Sequence, residues 1–208
     1  HLGEYADARA QYRMGLDLAR EVNLRWSIPL LLSGLGDVAV ALEAYPEAQG
    51  LLKESVALFP DSAIFNVMHV GVSLALIFPV YAARGVGEAV EARDHLCQAL
   101  HLAIDFDESL PLIEALPAAA LLAADGGESA RSGAERAVEL FAMASRYPHV
   151  ANSQWYEDVV GKHIAAVAAT LPPDVVAAAQ ERGRARDLWQ TAGELLDELG
   201  TASIDHLP

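Results

Sequence analysis

Apolar residues recur every three or four positions along nearly the whole chain, and the period-two alternation of a half-buried strand is almost absent. Near the amino terminus Tyr5, Ala8, Tyr12, Leu16 and Ala19 fall on one helical face, while Glu4, Asp7, Arg9 and Arg13 point away from it. The segment 3–16 is then written again at 43–56, 87–100 and 132–145. Aligned, the four copies place Tyr5, Tyr45, Ala89 and Ala134 in one column and Ala8, Ala48, Ala92 and Ala137 in a second. A large apolar residue follows (Tyr12, Leu52, Leu96, Phe141), then a small one (Gly15, Ser55, Ala99, Ala144). The copies start roughly 40 to 45 residues apart, the spacing of stacked helix pairs in which no single unit can bury its apolar face alone.

The stretches between copies predict the other helices. One runs over about 27–43, with Ser27 as cap and Pro29 in the first turn. Others cover about 62–84, 88–104, 108–124, 131–146 and 153–170, and Pro172-Pro173-Asp174 starts a short one. A last helix places Leu188, Ala192, Leu195, Leu196 and Leu199 at helical spacing before Gly200. Asp125-Gly126-Gly127-Glu128-Ser129 reads as a flexible insertion turn, and Tyr147-Pro148 closes the fourth unit. Residues 1–146 therefore read as helical repeats, 147–200 as a carboxyl-terminal repeat and capping helices of the same array, and 201–208 as a frayed tail. Because the chain opens at His1 and its first repeat lacks a leading helix, it reads as a fragment of a longer protein.

Residues 32–60 carry Leu35-Gly36, then Glu43-Ala44-Tyr45, Ala48, Leu52 and Pro60, and this run resembles a tetratricopeptide repeat. Gly36 and Ala48 suit close packing, since a large side chain there would hold the two helices apart. The third and fourth copies keep only the second-helix pattern. The resemblance implies an all-α fold, a right-handed α–α superhelix of about ten helices. A second resemblance lies in 171–196, where Ala177-Ala178-Ala179, Glu181, Gly183-Arg184-Ala185 and Leu188 are similar to the end of the superhelical domains of large bacterial signalling proteins. Those are the STAND-type ATPases, often fused to LuxR-type or SARP-type DNA-binding domains, in which the repeats sense an inducer or a protein. The chain departs from them at Arg186-Asp187, where a leucine-serine pair is common.

Charge and composition narrow the partners. With 29 acids against 14 bases and a formal charge of −15, the chain lacks the clustered cations that a nucleic-acid groove needs. Residues 62–83 contain no Asp, Glu, Lys or Arg and are long enough to cross a bilayer, but Asn66, His69, Ser73 and Pro79 interrupt them and no aromatic belt flanks them. A buried helix is the expectation, with no membrane partner. The single cysteine, Cys97, allows no internal disulfide and points to a reducing cytoplasm.

Tests for chemistry return little. Gly85-Val86-Gly87 lacks the lysine of a phosphate loop, and neither a Gly-x-Ser-x-Gly elbow nor a His-Glu-x-x-His pair occurs, so no catalytic residue, cofactor or enzymatic activity is expected. His95, Cys97 and His101 have the right atoms for zinc, but His95 lies about 200° around the axis from Cys97, so no metal site is expected. Asp105-Phe106-Asp107-Glu108 reads as a solvated turn with an N-cap, and Arg182, Arg184 and Arg186 as surface or capping charge. In tetratricopeptide arrays the first helix of each pair lines the concave groove. The resemblance therefore makes Trp26, Asn66, His69, Trp155 and Tyr156 the candidate contacts for a protein or peptide partner, or for a small effector. The function implied is interaction or effector sensing within a larger bacterial signalling or transcription regulator. The alternative is a passive scaffold or a homodimerisation module.

Overall fold

A computed structural model describes residues 4–58, 69–126 and 130–204. The described chain is all α, with no strand among the described residues. In order it forms α1 (Tyr5–Glu21), α2 (Ile28–Ala41), α3 (Tyr45–Leu58), α4 (His69–Gly85), α5 (Ala89–Asp105), α6 (Ser109–Asp125), α7 (Ala130–Ala144), α8 (Pro148–Ala151), α9 (Gln154–Tyr156), α10 (Lys162–Ala168), α11 (Pro173–Ala185) and α12 (Leu188–Ile204). A π-helical turn, Glu157–Gly161, joins α9 to α10 within the helix expected over 153–170. Helix α12 runs on to Ile204, where a frayed tail was expected. Residues 205–208, Pro60, and 127–129 of the expected insertion turn lie outside the described residues. Contacts divide the chain into two compact units, His1–Ala99 and Leu100–Pro208, the division falling within α5.

In the first unit α2 packs on α1 and α3, and α4 packs on α3 and α2. Leu16, Leu32 and Leu35 form a buried cluster against which Ile28, Leu31, Leu51 and Leu58 rest. The aligned columns become contacts. A Cβ on Gly36 would collide with Leu52, one on Gly34 with the Tyr12 ring, and one on Gly85 with the Tyr45 ring. Tyr12, Tyr45 and Leu52 thus each sit on a glycine of another helix, which is why Leu35-Gly36 lies where it does. Ser55, in the small column, is fully buried and donates its hydroxyl to the Pro29 carbonyl at 2.7 Å.

Four helices stop in one way. Asn23, Glu43, Gly87 and Asp107 have positive φ, and the amides that follow them bond back to the carbonyls of Ala19, Ala39, Ala83 and Ala103. This is the Schellman ending, in which a left-handed residue satisfies the last carbonyls of a helix. It explains Gly85-Val86-Gly87 as a stop signal. It also replaces two expected caps: Glu108 makes no side-chain cap bond, and Ser27 turns its hydroxyl back to the Leu24 carbonyl at 2.9 Å. The apolar run before Arg84 continues through α4, where 75–83 are buried apart from half-buried Phe78. Among the described residues no helix is long and apolar enough to cross a membrane.

The second unit is built on α6 and α7. Helix α6 packs on α7, α7 receives α10 and α11, and α12 rests on α6. Leu112, Leu116, Leu121, Leu140 and Met143 are fully buried. Helices α7 and α11 approach closely at Gly183, where a Cβ would collide with the backbone carbonyl of Glu139.

Candidate functional site

The close approach at Gly183 sets Glu139 among guanidinium groups. Its side chain is 8% exposed and takes Arg182 Nε at 3.0 Å on Oε2, with Arg186 Nη1 at 2.7 Å and Arg136 Nη1 at 3.1 Å on Oε1. Burial pushes this carboxyl up, but Arg182, Arg186 and Arg136 together outweigh it and hold the group below its ordinary range. Arg136 reaches on to Glu198 at 2.8 Å, and Arg186 pairs with Glu194 and donates to Thr191 Oγ1 at 3.0 Å. One carboxylate of α7 therefore ties down the end of α11 and the start of α12. Both its oxygens are engaged, so it clamps rather than transfers protons.

Of the three arginines expected as surface or capping charge, Arg182 and Arg184 are exposed in the last turn of α11, and Arg186 is drawn inward. Arg182 and Arg186 are four apart and converge on Glu139, because α11 ends at Ala185 and Arg186 continues in extended backbone. Arg184 goes elsewhere. It lines a groove of about 570 Å³ among α7, the π turn, α10 and α11. Val138, Phe141 and Ile164 contribute apolar surface, while Arg146, Arg184 and Glu157 bring charge. The π turn supplies Glu157 and Gly161 to this lining, and such turns recur at functional sites. Arg146 donates to the Arg186 carbonyl at 2.8 Å and lies over the Tyr147 ring, 5.8 Å from its centroid. Arg184 makes no ion pair or hydrogen bond among the described residues. Two arginines thus line the groove without a carboxylate partner, in a chain with twice as many acids as bases.

A second buried carboxylate stands on α6. Glu114 is 4% exposed, receives His149 Nε2 on Oε1 at 2.5 Å, and leaves Oε2 without a hydrogen bond. Burial raises its pKa, partly offset by His149. The His149 ring meets Tyr156 edge-on at 6.4 Å, and Trp155 meets Tyr156 at 5.1 Å and 90°.

The five residues nominated from the sequence separate. Trp26 is 48% exposed in the turn before α2; Trp155 is half-buried; and Tyr156 is 4% exposed, a core ring rather than an open contact. Asn66 lies outside the described residues, and of His69, which opens α4, only the backbone is described. Trp155 and Tyr156 come together, and neither they nor Trp26 line the groove. Sequence reasoning missed Glu139, Glu114 and the groove. The spacing of Arg182 and Arg186 gave no usable signal, since their convergence depends on α11 ending between them. Elsewhere His95 Nε2 lies 3.6 Å from Glu91, with burial lowering its pKa, and burial raises that of the Cys97 thiol. Among the described residues no three His, Cys, Asp or Glu side chains group as metal ligands do.

No family model, curated protein or solved structure matches this chain.

Proposed function

We propose that the chain is a binding module, a tetratricopeptide-like superhelical array that recognises a partner segment or effector on behalf of a larger bacterial signalling or transcription regulator in the cytoplasm. The observation that carries this reading is the groove among α7, α10 and α11. Its volume of about 570 Å³ lies within the range of small-molecule sites, and it is an open cleft in which a few charged groups stand beside small and apolar residues. The clamp at Glu139 supports it by fixing α11 against α7, so that the walls are held before a ligand arrives. Amide-shift mapping of the chain against a library of small fragments tests the reading. Hits whose shifts cluster on α7, the π turn and α11 support it; hits scattered over the surface, or none, count against it.

A second reading rests on α1. Met14, Leu18 and Val22, at intervals of four, are 63%, 56% and 59% exposed, and Trp26 follows them. An apolar stripe of this kind marks a contact surface and favours a scaffold or homodimerisation role. Sedimentation over a range of concentrations separates the two readings: a mass that rises with concentration and falls back in Leu18→Glu supports self-association, and a constant monomer mass removes it.

A further inference from the structure

Resting on the reading of the groove as the binding site, we infer that its ligand is a small monoanion with an apolar body, an aryl- or alkyl-carboxylic acid, whose charged head is taken by Arg184 and Arg146. Charge comes first. The chain is acidic overall, and the neighbouring Arg131, Arg136, Arg182 and Arg186 are each neutralised by a carboxylate, whereas Arg184 has no partner and Arg146 bonds only a carbonyl and a ring face. Glu157 is the one carboxylate in the lining, which leaves the groove with one positive charge in excess. A guanidinium presents its donors as a planar fork that fits a carboxylate, and such charge-assisted bonds are stronger than neutral ones.

Shape supplies the rest of the ligand. Half-buried Phe141 offers the large apolar side chain of the lining, with Val138 and Ile164 buried beneath the floor and small Ala142, Ala165 and Ala168 beside it, which leaves room for an aromatic ring or short alkyl chain. The volume suits a small molecule better than a folded peptide segment, since a single helix is already about 10 Å across with its side chains. The two arginines stand at two places in the lining, Arg146 just beyond α7 and Arg184 near the end of α11. A positively charged or neutral molecule of the same shape gains the apolar contact and loses the head-group bonds.

Calorimetric titration of the full chain with 4-phenylbutyrate, 4-phenylbutanol and 4-phenylbutylamine tests this, with amide shifts locating each ligand. The acid is expected to bind at least about tenfold more tightly than the alcohol or the amine, with shifts on α7, α10 and α11. Arg184→Gln, at an exposed position, is expected to remove most of that preference without altering the fold, and Arg184→Glu to favour the amine. Equal binding of all three in the groove overturns the anion assignment and leaves the groove as the site. Binding of the acid outside the groove, or no groove shift with any of the three, overturns the assignment and counts against the groove reading as well.

Discussion

The two halves of this protein bury different things. In the first unit several contacts between helices set a large residue on a glycine, and the ion pairs between α1 and α3 lie outside: Arg13 to Glu47 at 2.9 Å and Arg20 to Glu54 at 3.1 Å, with side chains 37% to 56% exposed. In the second unit carboxylates go inside, Glu139 among three arginines and Glu114 against His149, and a helix is opened by a π turn beside a groove. Regular packing leaves little room for chemistry, because a column that repeats must offer each neighbour the same apolar surface. Departures from the repeat are where polar groups become fixed, and a fixed polar group next to a groove is what recognition requires.

Substitutions sharpen this contrast. Glu139→Ala removes the buried acceptor that three guanidinium groups share and leaves them their more exposed partners Glu135, Glu194 and Glu198, and is expected to cost about 3 kcal/mol. Glu47→Ala removes a solvent-exposed pairing and is expected to cost less than about 1 kcal/mol. Urea unfolding followed by amide exchange in α7 and in α1 measures both; similar losses would erase the difference between the halves. Next comes Gly183→Ala, where a methyl group meets backbone rather than a yielding side chain, for an expected loss of about 2 kcal/mol. Its counterpart Gly50→Ala, on α3 with open space around it, is expected to gain up to about 1 kcal/mol from helix propensity.

The two buried carboxylates respond to pH with opposite sign. Glu139 has a depressed pKa, so its contribution is present above the ordinary value of 4.5 and is lost as pH falls through the folded value. Glu114 has a raised pKa, so its contribution is full below 4.5 and is lost as pH rises through the folded value. Denaturation midpoints across pH for Glu139→Gln and Glu114→Gln check this: the first is expected to flatten the acid side of the profile and the second the side above it. Smallest is Glu43→Gly, which relieves a left-handed residue at a Schellman ending and is expected to stabilise by up to about 1 kcal/mol in thermal melts.

Much of the fold was legible because it rests on spacing. The predicted helix starts near 88, 108 and 131 meet α5, α6 and α7, and Gly36, expected where two helices pack closely, has no room for a Cβ, because Leu52 stands against it. The site was not legible, for a physical reason. Glu139 sits in the fourth copy with nothing to distinguish it from a solvated acid, and its burial depends on Gly183, more than forty residues away, letting α11 approach. Tyr156 misled in the opposite direction, since an aromatic at helical spacing is as good a core residue as a contact.

As proposed, recognition belongs to the second unit, where the helix before α10 is interrupted by a π turn. Amide hydrogen exchange of the full chain, with and without saturating 4-phenylbutyrate, tests this most directly. Slowed exchange in α7, Glu157–Gly161 and α11, with α1 to α3 unchanged, is the result predicted. Slowing concentrated in α1 to α3, with α7 and α11 unaffected, would contradict it.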